Sequence, residues 1–143
     1  MGEARQTIDQ MTKCMENHDA AGLANLYAED AVAFTPDAGE LKGREAIVKY
    51  LTAFTVAVPD FRWESLADHE SGNTAADEGW VVGTNTGPIE LPDGTVIPAT
   101  GRPVRVRGVD LATVENGQIV RHNFYFDQVE LLTQLGLMPE LGA

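Results

Sequence analysis

GRPVRVRGVDLATVENGQIVRHNFYFDQVELLTQLG, from Gly101 to Gly136, decides how the rest of the chain is read. Two alternating apolar/polar runs flank Glu115-Asn116-Gly117, and apolar residues then recur at helical spacing. The stretch predicts two antiparallel strands and a closing helix. Its register depends on the turn. A two-residue Asn116-Gly117 loop sets Asp110 against Asn123 and mates the mainly apolar face of one strand with the polar face of the other. A three-residue loop, with Gly117 left-handed in a bulge, moves the pairing by one. Asp110 then faces His122, and one face carries Val104, Val106, Gly108, Asp110, Ala112 and Val114 beside Val120, His122, Phe124 and Phe126. Arg105, Arg107, Thr113, Arg121 and Asn123 take the other. A slip of one residue turns every side chain over, so the register that matches like with like is the expected one. It sets one carboxylate beside one imidazole on an otherwise apolar surface.

Upstream, Ile8, Met11 and Met15 recur at helical spacing and predict a first helix from Glu3 to Glu16. Asn17-His18-Asp19 breaks it, and Asp19 is placed to cap a second helix running through Leu23, Leu26 and Tyr27. Ala31 to Thr35 is a short strand, closed by Pro36-Asp37 and Gly39. A third helix follows Gly43, with Ile47, Tyr50, Leu51 and Phe54 on one face, and ends before Pro59. Strands dominate from there. Phe61 to Asp68 alternates, Ala75 to Thr86 holds a second run around Trp80-Val81-Val82, and Pro92-Asp93-Gly94 turns a hairpin between Glu90-Leu91 and Thr95-Val96-Ile97. Helices first and an antiparallel sheet after them make an α+β domain, expected to fill residues 1–143 as one unit. Helices on one face of a curved sheet would leave a cone able to hold a ligand.

The 143 residues carry a formal net charge of -12, which argues against nucleic acid and anionic membrane as partners. No run approaches the ~20 apolar residues of a membrane span, and MGEARQTIDQ has no apolar core of a signal peptide. A single cysteine, Cys14, forbids an intrachain disulfide. These features together predict a cytoplasmic protein. Arg102, Arg105, Arg107 and Arg121 form a basic cluster read as a solvated or subunit-facing sheet surface.

LANLYAEDAVAF (Leu23–Phe34), GREAIVKYL (Gly43–Leu51) and the ending from Gly108 to Gly136 together resemble the SnoaL-like polyketide cyclase family. That family lies within the superfamily that shares the nuclear transport factor 2 fold, NTF2-like for short. The resemblance covers nearly the whole chain. It implies a cone-shaped α+β barrel, usually dimeric, with a largely apolar pocket and neither metal nor organic cofactor. It further implies an acid/base aspartate two residues after the histidine that matches His122, used in an intramolecular aldol ring closure. Phe124 stands at that position here, and Asp110 stands where those cyclases have a pocket histidine.

Asp110 and His122 are the candidate catalytic pair. A carboxylate beside an imidazole on an apolar face suits general acid/base work near neutral pH; the plainer reading is a structural hydrogen bond within the core. Phe34, Tyr50, Phe54, Trp63, Trp80, Phe124 and Phe126 are the candidate substrate-binding rings, though each alone is an ordinary core residue. His18 and His69 read as surface residues and Cys14 as core. No His/Cys/carboxylate spacing suggests a metal site. Asp127-Gln128-Val129-Glu130 reads as a capping box rather than part of the site.

Three functions remain open at this stage. One is cofactor-free acid/base chemistry, a cyclisation or an isomerase- or lyase-type proton transfer, on a hydrophobic carbonyl or polyketide-like small molecule. Another is activation of water against an epoxide, which needs a second acid and a basic group on the cavity face. The last is a non-catalytic ligand-binding or dimerisation module, with a homodimer expected through the open sheet.

Overall fold

The computed structural model describes residues 2–138. Helix α1 (Glu3–Glu16) buries Ile8, Met11 and Met15 along one stripe and tucks Cys14 into the core. Its first amides lack a local side-chain cap. Glu70, distant in sequence, supplies one instead, its carboxylate accepting from Gly2 N at 2.8 Å and Arg5 N at 3.0 Å. Asp19 starts α2 (Ala20–Leu26) by accepting from Gly22 N at 2.8 Å. This helix stops at Leu26, one residue short of the expected reach, because Tyr27 has already turned extended to open β1 (Tyr27–Thr35). Strand β2 (Gly39–Lys42) folds back on β1, and α3 (Arg44–Ala57) follows Gly43.

Four further strands complete the main sheet around a small hairpin. They are β3 (Arg62–Ser71), β4 (Thr74–Thr84), β7 (Pro103–Glu115) and β8 (Gln118–Phe126); the hairpin is β5 (Ile89–Glu90) with β6 (Val96–Ile97). The order is β2-β1-β8-β7-β4-β3, antiparallel at every seam but one, for β1 runs parallel to β8. The sheet is open rather than closed on itself. α1 packs across β3, β4 and β7, and α3 packs on β1 and β2, so helices complete the enclosure. The fold is the expected α+β arrangement of N-terminal helices over a sheet, with the core between them.

The β7–β8 hairpin departs from the expected register. Asn116 and Gly117 both have positive φ (52° and 76°), and Glu115 pairs with Gln118. The loop therefore has two residues, the arrangement that Asn-Gly favours because both positions must be left-handed. The extra residue sits further along, where Val114 pairs with Ile119 and Thr113 with Arg121, leaving Val120 as a bulge. This shift restores the like-with-like faces, but with Ile119 rather than Val120 at the buried place. Asp110 lies opposite Phe124, not His122, and His122 lies opposite Ala112.

Helix α4 (Gln128–Leu135) takes over where β8 ends. Asp127 caps it by accepting from Glu130 N at 3.1 Å, and the Gln134 side chain bonds both backbone groups of Arg105, at 2.7 and 2.8 Å. Only the Asp127 half of the capping box forms, as Glu130 accepts from Gln134 instead. Leu131 and Leu135 cover Val104 and Val106 beyond the end of β8. Among the described residues, no helix is long and apolar enough to cross a membrane.

Candidate active site

Register builds the site. Ala112 and His122 are cross-strand partners, as are Asp110 and Phe124, so Asp110 and His122 sit on the inner face as a diagonal pair. His122 Nε2 and Asp110 Oδ2 lie 2.6 Å apart. The parallel seam brings β1 beside β8, and the Tyr27 hydroxyl lies 2.7 Å from His122 Nδ1. Tyr27 and His122 are both 0% exposed, whereas the Asp110 side chain keeps 12%. A line of three polar groups thus runs outward from the core and ends on a carboxylate.

Burial, with the charge of Asp110 adding to it, pushes the Tyr27 phenol well above its ordinary range. The phenol therefore keeps its proton, and its O–H donates a hydrogen bond to His122 Nδ1. With Nδ1 accepting from Tyr27, the ring's N–H lies on Nε2, aimed at Asp110. The tautomer follows from the hydrogen-bond network, and it leaves Asp110 Oδ1 without a role in this chain of bonds.

Asp110 reaches a cavity of about 140 Å³ whose wall is almost wholly apolar. Tyr50, Phe54, Trp63, Phe124 and Phe126 all line it, as the sequence suggested. Trp63 can lie flat there because its indole covers the paired glycines Gly79 and Gly108; a Cβ on Gly79 would meet that ring at 2.7 Å. Phe124 stacks beside His122 with ring centroids 4.0 Å apart.

Two expected rings are elsewhere. Phe34 is 39% exposed on the outer face, against Tyr125, because β1 turns Ala31, Ala33 and Thr35 inward. Trp80 also faces outward, since Asp77, Gly79 and Val81 take the inner positions of β4. The Arg105 and Arg107 guanidinium groups lie over its ring at 4.4 and 4.7 Å. Neither ring lines the cavity.

Residues 8–122 match the family model of the SnoaL-like domain. The chain belongs to that family. Among solved structures it is similar to IdmH of Streptomyces antibioticus, a provisionally assigned polyketide cyclase, at 26% identity and TM-score 0.76, covering 94% of this chain and 99% of that one. It is also similar to AclR of Streptomyces galilaeus, provisionally a hydroxylase, at 22% identity and TM-score 0.78, covering 96% and 87%. An LEH-like epoxide hydrolase of M. tuberculosis aligns at 16% identity and TM-score 0.70, covering 93% and 89%, a likeness of fold alone. Comparison with curated proteins gives no match. Family, fold and cavity agree on a small-molecule site of the NTF2-like kind.

Three polar residues of this SnoaL-like site escaped the sequence reading. Tyr27 reads from sequence as the end of a helix, although its spacing from Ala31, Ala33 and Thr35 matches the buried side of β1. Asp77 is the direct cross-strand partner of Asp110 and is 3% exposed. Arg5, on α1, forms an ion pair with Asp77 and bonds Asp9 at 2.7 and 3.1 Å. Burial pushes the Asp77 carboxyl up, Asp110 and Asp68 add to this, and Arg5 opposes it. For Arg5, burial works against the charge, but Asp77 and Asp9 together outweigh it. Arg5 Nη1 lies in direct contact with Asp77 Oδ1, and the two form an ion pair. Both groups are buried, and either charge alone would cost several kcal/mol more. Among the described residues, no three His, Cys, Asp or Glu side chains converge to hold a metal ion.

Proposed function

We propose that this SnoaL-like protein is a cofactor-free acid/base enzyme that moves a proton next to the carbonyl of a hydrophobic small molecule. The reading rests on one observation: the only His–carboxylate contact among the described residues, at 2.6 Å, presents its carboxylate to an apolar cavity. Asp110 Oδ1 removes the proton from carbon. The His122 Nε2–H bond holds the other oxygen, and Tyr27 holds His122 in the tautomer that makes this possible. Asp110 then returns the proton to a second carbon, which is an isomerisation, or the carbanion adds to a second carbonyl carbon of the same molecule, whose C=O π bond opens to an alkoxide that takes the proton back from Asp110 as the ring closes. The Tyr50 phenol, kept protonated by burial and by Asp37, is a donor on the cavity wall that can turn to a developing oxyanion. Phe124, at the position where the resemblance implies an acid/base aspartate, serves as an apolar wall. Asp110 takes over the proton chemistry from the neighbouring strand.

The water-activating reading has its second acid and its basic group in Asp77 and Arg5, but these are paired with each other and neither lines the cavity. The test is α-proton exchange of 2-tetralone in D₂O, followed by NMR. Wild type should exceed the buffer rate, and Asp110→Asn should stay folded, bind the ketone and lose ~10²-fold or more of the excess. Binding without exchange by wild type would leave the non-catalytic module as the answer.

A further inference from the structure

The cavity at Asp110 is small for a substrate of the proposed kind. At about 140 Å³ it falls below the ~300 Å³ at which pockets begin to bury a drug-sized ligand. A second chamber of about 510 Å³ lies between α3, the β5–β6 hairpin and α4. Asp37, Tyr50, Phe54 and Leu131 line both spaces, so the two share a partition rather than lying apart.

The chain builds this outer chamber with particular residues. Ala46 and Ala53 stand seven residues apart on α3, which puts them on one face, and their small side chains hold that wall back. Ile89 and Leu91 give the opposite wall an apolar surface, and Leu135 closes the end below Val104. Lys49, Glu90 and Asp93 are exposed at its edge. Where the two spaces meet, Tyr50 Oη–H donates to Asp37 Oδ1 at 2.8 Å, a bond that opens when Tyr50 turns to the substrate, and Phe54 is set edge-on against Phe61 at 5.7 Å.

We infer that the outer chamber binds the larger, non-reacting part of the substrate, so that the substrate is an elongated amphipathic carbonyl compound. A single ring or narrow unsaturated end fills the inner cavity beside Asp110. A longer apolar body lies over Ala46 and Ala53, and its polar substituents reach the edge. The assignment of the reacting end rests on Asp110 as the base; the length and the two-room geometry do not. Binding in the outer room also supplies the remote contact energy that seats a small reacting group beside Asp110.

The test is a binding series with the full-length protein, using cyclohexanone and its 4-alkyl derivatives from methyl to octyl. Wild type should show the dissociation constant falling about 4-fold for each methylene that enters the outer chamber. Ala53→Trp sets an indole into that chamber across the path of the alkyl tail, so it should flatten the series while leaving the affinity for cyclohexanone itself unchanged. Ala46→Trp makes the same test from the other end of the helix face if the first variant does not fold. A flat wild-type series overturns the inference, and is the result expected if a second copy or another protein covers the chamber instead. A series equally steep in a folded tryptophan variant overturns it too. Because binding is measured, a failure of Asp110 as base leaves the series steep, and a flat series leaves the exchange result standing.

Discussion

Removing one oxygen from Tyr27 tests whether the buried line of three groups works as described. In Tyr27→Phe the ring remains in its fully buried place, and the Tyr27 carbonyl still accepts from Arg44 Nε at 2.9 Å. What is lost is the 2.7 Å bond to His122 Nδ1. An acceptor left without a donor in a site shut off from water costs roughly 1–3 kcal/mol. With an unfolding entropy of about 2.1 cal/mol/K per residue, a chain of this length loses about 3 °C in Tm per kcal/mol, so the midpoint should fall by roughly 3–10 °C. The second readout is the ring itself. Long-range ¹H–¹⁵N NMR should show Nδ1 bare and Nε2 protonated in wild type, and a mixture of tautomers in the variant, with proton exchange on 2-tetralone reduced alongside. An unchanged midpoint together with an unchanged tautomer would refute the reasoning, because the hydroxyl would then hold nothing.

The remaining predictions concern parts that frame the site. Asp127→Ala should cost about 1 kcal/mol through loss of the cap on Glu130 N, seen as a lower Tm with exchange activity retained; lost activity at an undiminished midpoint would reverse the assignment. Backbone bonds from Arg5 N and Gly2 N hold the Glu70 carboxyl below its ordinary range. Its stabilising contribution is therefore complete above the usual carboxylate range and disappears as pH falls through the lowered value. Glu70→Gln should accordingly melt below wild type near neutral pH and converge with it in acid; a gap constant with pH would exclude this linkage. Phe34, Val109, Leu111 and Tyr125 leave a large apolar patch on the outer sheet face, and we propose a homodimer through it. Light scattering should give twice the chain mass for wild type and a single chain mass for Leu111→Glu, and a monomeric wild type across micromolar concentrations would rule the interface out.

Much of this architecture could be read from residue order, and the exceptions share a cause. Helix α1 was legible to its ends because Ile8, Met11 and Met15 mark one stripe and Asn17-His18-Asp19 stops it. The pairing of a carboxylate with an imidazole was legible from alternation, since Val104 to Val114 and His122 to Phe126 alternate on the two sides of the β7–β8 hairpin. The bulge was not. Asn116-Gly117 asked for a two-residue turn, while the faces asked for one extra residue, and placing that residue in the loop satisfied the faces alone. Ile119 and Val120 are both β-branched and apolar, so alternation gives no sign of which of them is surplus. Trp80 and Phe34 were chosen for their size, but in a strand the side of the sheet is set by parity, and both have the outward parity. Arg5, Asp77 and Tyr27 could not be gathered from sequence, because they meet only when α1, β4 and the parallel β1–β8 seam are assembled. A parallel seam leaves no hairpin turn in the sequence to announce it.

The surplus residue at Val120 also bears on how relatives of this chain are to be lined up. β8 carries one residue more than β7 needs between Glu115 and Ala112. Losing a single codon anywhere from Ile119 to Arg121 would close the bulge and leave His122 across from Ala112, with Asp110 still across from Phe124. A codon lost between Leu111 and Val114 has no such slack to draw on. A shorter homologue is thus correctly aligned with its gap inside the strand; a gap drawn at the Asn-Gly turn, the habitual place, leaves the histidine aligned but sets the homologue's buried counterpart of Ile119 against the bulged Val120.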